Sequence, residues 1–112
     1  MVVETTWSRQ RGDNLVAAYL IYSRTEITDK AKSLRYGELV VPQIREFGGE
    51  VLMARGNVHV LEGDWEPMAV TILRFETREA LMAWWDSPEY APLKQMRLES
   101  NTGDIIIVDS GH

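Results

Sequence analysis

A chain of 112 residues with 45% hydrophobic content has the core-forming material of one ordinary domain and too little for two well-buried ones. A net charge of −5 argues against a nucleic-acid partner, and the lack of cysteine excludes disulfides, thiolate metal sites and cysteine nucleophiles. No apolar run approaches the roughly 20 residues of a membrane helix and the N-terminus lacks a signal-peptide plan, so the expectation is a cytoplasmic protein with no membrane partner.

Residues 1–14 are polar, with Trp7 their only aromatic group, and are expected to form a flexible tail before a single domain over 15–109, closed by residues 110–112. Leu15 to Ser23 is apolar on both alternating sets, as expected of a strand covered on both faces. Thr28 is placed to cap a helix with Asp29 in its first turn. Ala31, Leu34, Leu39 and Ile44 carry that helix toward Phe47, with a kink or restart expected at Pro42. Gly48-Gly49 then ends it, since a glycine just past a helix takes the left-handed conformation that closes the last turn.

Val51 to Leu61 reads as one long strand with a bulge or bend at Gly56-Asn57, resumed by His59-Val60-Leu61 and ended by the turn Glu62-Gly63-Asp64. Met68 to Phe75 alternates as the next strand. Thr77 caps a short helix, Arg78 to Asp86, and Ser87-Pro88-Glu89 starts another that runs to about Glu99. After Asn101-Thr102-Gly103, Ile105 to Val108 reads as a short buried strand. The order is βαββαβ, an α+β, ferredoxin-like antiparallel sheet with helices on one face. The sheet's other face is then bare, and a homodimer packed sheet to sheet would cover it.

Tyr36, Pro42, Phe47-Gly48-Gly49, Arg55-Gly56, Leu61-Glu62-Gly63-Asp64-Trp65, Phe75, Ala83-Trp84, Ser87-Pro88-Glu89-Tyr90 and Arg97 together resemble the domain of unknown function 1330 family, from about Ala18 to Val108. The resemblance implies a dimeric α+β barrel. Its superfamily includes cofactor-free monooxygenases, muconolactone isomerases and haem enzymes, so fold by itself implies no one reaction. Two positions depart from the pattern: Phe47 stands where histidine or tyrosine is common, and Trp85-Asp86 replaces a tyrosine-asparagine pair.

In such a fold the cleft lies between sheet and helices. Tyr36, Arg55 and Arg97 are the candidate catalytic residues, with Arg74 as a further ligand-binding arginine. A guanidinium holds a carboxylate bidentately, and a phenol orients or protonates an oxygen. The structural alternative is that the arginines pair with Glu38, Glu62, Glu76 or Glu99 and that Tyr36 packs by its ring. His59, the internal histidine, is a candidate general base or axial haem ligand, against the alternative of a half-exposed strand residue. Trp65, Trp84, Trp85 and Tyr90 form an aromatic group suited to an apolar pocket or a subunit contact. Trp84 and Trp85 point about 100° apart on a helix, so they cannot share one stripe.

Glu62, Asp64, Asp86 and Glu89 have turn and helix-start positions rather than an acid–base spacing, and two histidines without cysteine build no evident metal cluster. The functional expectation is therefore a small-molecule-binding homodimer without a cofactor, isomerising, cyclising or cleaving a small, partly apolar, anionic metabolite by proton transfer. The rival is a non-catalytic ligand-binding or stress-associated protein.

Overall fold

Alternation along the first strand divides the sheet into two faces, and everything at the candidate site follows from which face a residue takes. The computed structural model describes residues 17–110. The expected N-terminal tail, with Trp7, and the first residues of the expected first strand lie outside that range. The elements are β1 (Ala18–Ile27), α1 (Lys30–Glu46), β2 (Glu50–Gly56), β3 (Ala69–Phe75), α2 (Arg78–Trp85), α3 (Ala91–Ser100) and β4 (Asn101–Asp109). They form one four-stranded antiparallel sheet in the order β2-β3-β1-β4. This is the expected α+β, ferredoxin-like arrangement.

Ala18, Leu20 and Tyr22 of β1 face the helices together with Leu73 and Phe75 of β3, and Val40, Ile44, Leu81, Trp84, Tyr90 and Leu93 close over them as one buried cluster. The odd positions of β1 take the other face. There Tyr19, Ile21, Val70, Ile72, Met53, Ile106 and Val108 lie in register, and Met53, Ile106 and Val108 remain about half exposed.

Several element ends differ from expectation for local reasons. Asp29, not Thr28, caps α1 by accepting from the Lys32 amide at 3.1 Å. The Thr28 and Asp29 amides instead both donate to the Ser100 carbonyl, tying the start of α1 to the end of α3. The helix runs through Pro42 without a break. Proline removes one hydrogen bond there, while the buried Val40 and Ile44 on either side keep the turn packed against the core. At the C-terminal end Gly48 has φ +87°, and a Cβ on Gly49 would fall 2.5 Å from the Phe75 ring, so both glycines of the expected stop are required.

β2 ends at Gly56, and His59-Val60-Leu61 does not resume it. Two register shifts against β3 and a left-handed backbone at Arg55 turn the chain away from its neighbour, which leaves Leu61 99% exposed. The third helix begins at Ala91 rather than at Pro88. Ser87 still caps, but it caps the preceding turn, its Oγ accepting from the Tyr90 amide at 3.1 Å. β1 extends past Ser23 to Ile27, and β4 is longer and more exposed than expected because it pairs with β1 alone at the sheet edge.

Candidate functional site

Between the sheet and α1, the β1–β3 strands and α3 enclose a cavity of about 120 Å³. A dry engineered cavity of roughly 150 Å³ takes benzene, so this one is of single-ring size. Its wall is mostly apolar: Leu20, Val40, Ile44, Leu73 and Trp84 among others. The polar groups set into it are specific. Arg24, Arg55 and Arg97 line the cavity, and no aspartate, glutamate or histidine does.

Arg97 is the most enclosed of the three, at 6% exposure. It comes from the last turn of α3, and its guanidinium lies 5.5 Å from the Tyr22 ring and 5.8 Å from the Trp85 ring, within cation–π range. Its Nε donates to the Tyr90 hydroxyl at 3.3 Å. Among the described residues no carboxylate lies within ion-pair reach of it. Glu99 pairs with Lys32 and Glu38 with Arg35, so the pairing alternative does not hold for this arginine. Burial acts against the Arg97 charge, and the oxygens of Tyr90, Tyr36 and Tyr22 more than offset it, leaving the guanidinium firmly protonated.

Tyr36 reaches in from α1, and its hydroxyl is 3.0 Å from that of Tyr90. Two hydroxyl hydrogens are present, and the bond between the phenols uses one. Because Arg97 already fills a lone pair on Tyr90, whichever phenol donates to the other, one hydrogen is left for an oxygen in the cavity. Burial, reinforced by Tyr90, holds the Tyr36 phenol well above the ordinary tyrosine value. The Tyr36 phenol therefore keeps its proton near neutral pH and acts as a donor, not as a base.

On the sheet side, Tyr22 donates to Asn101 Oδ1, and the Asn101 amide donates in turn to Ser33 and Ser100. Gly103 permits this: a Cβ there would collide with Ser23 backbone and the Tyr22 ring. Trp84 is buried against Phe75 and Tyr90, with ring centroids at 5.9 and 4.3 Å. Its indole N–H donates to Gln43 of α1 at 3.0 Å, while Gln43 donates to the Glu89 carbonyl. Trp85, partly exposed, borders the cavity between Arg97 and Lys94.

Of the residues singled out from the sequence, Tyr36, Arg55, Arg97, Trp84, Trp85 and Tyr90 line this cavity, and His59, Trp65 and Arg74 do not. His59 and Trp65 sit exposed on the 57–68 segment, because β2 stops before them. His59 therefore meets neither the general-base nor the haem-ligand requirement of facing a cavity. Arg74 has the parity of Tyr19, so it stands on the outer sheet face, where it pairs with Glu50 at 3.4 Å. Tyr22, Arg24 and Asn101 also line the cavity and were not singled out from the sequence. Tyr22 and Arg24 share the parity of Leu20, and a polar residue in the phase of a core face was the available signal.

The family defined as domain of unknown function 1330 (DUF1330) matches residues 17–110. The chain belongs to it. Among solved structures, this DUF1330 chain is similar to the RPA0582 protein of unknown function from Rhodopseudomonas palustris, at 17% identity, TM-score 0.64, with 94% of this chain and 91% of that one covered. The methylated RPA0582 protein gives 16% identity and a TM-score of 0.65, covering 95% and 90%. SnoaB, a cofactor-independent oxygenase from Streptomyces nogalater, aligns at 12% identity and a TM-score of 0.48, over 83% and 89%. No curated protein is a significant match. Among the described residues no helix is long and apolar enough to cross a membrane, and no cluster of three or more potential metal ligands occurs.

Proposed function

We propose that this DUF1330 protein binds a small, partly apolar carboxylate in the cavity and presents to it an Arg97–Tyr90–Tyr36 donor group that stabilises charge on oxygen. The observation that carries the reading is Arg97: a buried cation facing a single-ring apolar cavity with no acid beside it. Its Tyr90 hydrogen bond and ring contacts are neutral, and an anionic ligand would supply the counter-charge that no carboxylate among the described residues gives it. The spare phenol hydrogen gives a second, neutral contact for an oxygen or a proton for a developing oxyanion.

The same wall limits the chemistry. Without a carboxylate or imidazole lining the cavity, this chain's described residues offer no base to take a proton from carbon. Isomerisation, cyclisation or cleavage here is therefore restricted to substrates that enter already ionised and need only protonation or oxyanion stabilisation. The lack of a base favours the second reading to the same degree, a site that holds its ligand without converting it.

The outer sheet face supports a homodimer. Tyr19, Ile21, Val70, Ile72, Ile106 and Val108 form a contiguous apolar surface on a small acidic protein, of the type a second copy covers.

Trp84 and Trp85 border the cavity and report on its occupancy by fluorescence. Titration with benzoate is expected to change their emission, benzyl alcohol of the same shape to bind far more weakly, and Arg97→Gln to weaken benzoate at least about 10-fold, as loss of a charge-assisted hydrogen bond requires. Equal affinity for the acid and the alcohol would contradict the proposal.

A further inference from the structure

Two more arginines remain on the cavity wall after Arg97 has been assigned. Arg24 lies two residues beyond Tyr22 on β1, about 6.6 Å along the strand, and has the parity that points to the helices. Its Nε is fully buried and has no hydrogen-bond partner. No ion pair involves it among the described residues. A buried donor without an acceptor is rare in a finished fold.

Arg55 approaches the same wall from β2. Successive residues of a regular strand point to opposite faces, yet Ala54 and Arg55 both line the cavity. The cause is the shifted register against β3, which occurs beside a left-handed backbone at Arg55, φ 50°. Such a conformation is uncommon for a residue with a side chain. It is held by a hydrogen bond from the Arg55 amide to Thr71 Oγ1 at 3.0 Å. A bulge of this type re-aims a side chain. Burial lowers the hold of Arg24 on its proton, and the nearby Arg55 cation acts in the same direction against the opposing pull of Tyr22. Two repelling cations, one with a buried empty donor, are held at one cavity by a distorted strand.

The Tyr22 ring lies against Arg97 and precedes Arg24 on the strand, so the two cationic positions are separate rather than one cluster. Arg55 is exposed, Arg24 partly exposed and Arg97 buried, an order that runs from the mouth of the cavity inward.

We propose that Arg24 and Arg55 form a second anion seat at the mouth of the cavity, so that its ligand carries two acidic groups at opposite ends of a ring or a short apolar body. This rests on the ligand-binding reading above and narrows it to a class, the small dianionic dicarboxylates. One acid meets Arg97, the other completes the Arg24 and Arg55 donors, and the apolar body lies among Leu20, Val40, Leu73 and Trp84.

Calorimetric titration of the full chain with benzoate and with the three benzene dicarboxylates tests both statements separately. Wild type is expected to bind at least one dicarboxylate 10-fold or more tighter than benzoate. Arg24→Gln and Arg55→Gln are each expected to erase that preference while leaving benzoate affinity within twofold. Arg55 is at the exposed rim, so its variant keeps the test sound if Arg24→Gln is poorly folded. Benzoate binding as tightly as every dicarboxylate, or a preference that survives in either folded variant, overturns the second seat and leaves the Arg97 site standing. Failure of wild type to bind any of the four overturns the second seat and the ligand-binding reading together.

Discussion

A guanidinium that is 6% exposed is held by the oxygens of Tyr90, Tyr36 and Tyr22 and by the Tyr22 and Trp85 rings but has no acid beside it, so its removal separates stability from binding. In Arg97→Met the methionine keeps an apolar, sulfur-bearing chain beside the Tyr22 and Trp85 rings, while the charge and the hydrogen bond to Tyr90 are lost. Unfolding of the empty variant is expected to show a loss of no more than about 1.5–3 kcal/mol, that of one hydrogen bond from a charged donor, with benzoate affinity lower by at least about 10-fold. A variant that both unfolds earlier and binds normally would make Arg97 a structural residue. Tyr36 offers a pH signature. Burial raises its folded phenol above the unfolded value of about 10, so the native state holds the proton more tightly. That contribution is complete below the unfolded value and is lost as pH rises toward the folded one. Tyr22 is raised in the same sense, by burial against the opposing pull of Arg97. Denaturant unfolding between about pH 9 and 11 is therefore expected to show a shallower loss of stability in Tyr36→Phe than in wild type. Identical slopes would remove Tyr36 from the buried set.

The elements meet the site through a few connecting side chains. Gln43 holds α1 to α2 by accepting from the Trp84 indole, and to the turn before α3 by donating to Glu89. Gln43→Ala leaves a buried indole N–H without an acceptor, and chemical denaturation is expected to show a loss of about 1–3 kcal/mol. A loss under about 0.5 kcal/mol, the level of an ordinary surface change, would show that water takes over the contact. Much of this frame was readable beforehand. The Gly48-Gly49 stop, the Thr77 cap and the alternation of β3 are local signals with local causes, and each recurs in the structure. What was not readable depended on pairing. The end of β2 is set by its register against β3, and no property of His59, Val60 or Leu61 announces that the neighbour has turned away. Arg74 and Arg24 differ in face only because their strands are in a fixed phase, and reading β1 as ending at Ser23 removed Arg24 from consideration. Asn101 looked like a helix breaker, yet its side chain organises Tyr22, Ser33 and Ser100 from the first position of β4.

At the scale of the molecule the two sheet faces have different tasks. One carries the cavity, and the other is apolar without a cover in the single chain. Sedimentation velocity is expected to give about twice the 12.8 kDa chain mass, with Ile72→Asp and Ile106→Asp each shifting the species toward one chain. A wild-type monomer at micromolar concentration would remove the dimer from the account. Membership of the DUF1330 family and the likeness to RPA0582 fix the fold but name no reaction, so the chemistry has to be argued from the cavity wall. That wall combines one ring's worth of apolar space, three arginines and no acid. The most direct test is a crystal of the full chain soaked with benzoate. The ring is expected between Leu20 and Trp84 with its carboxylate within about 3.2 Å of the Arg97 guanidinium. A cavity that stays empty, or a ring seated with its carboxylate turned away from every arginine, would contradict it.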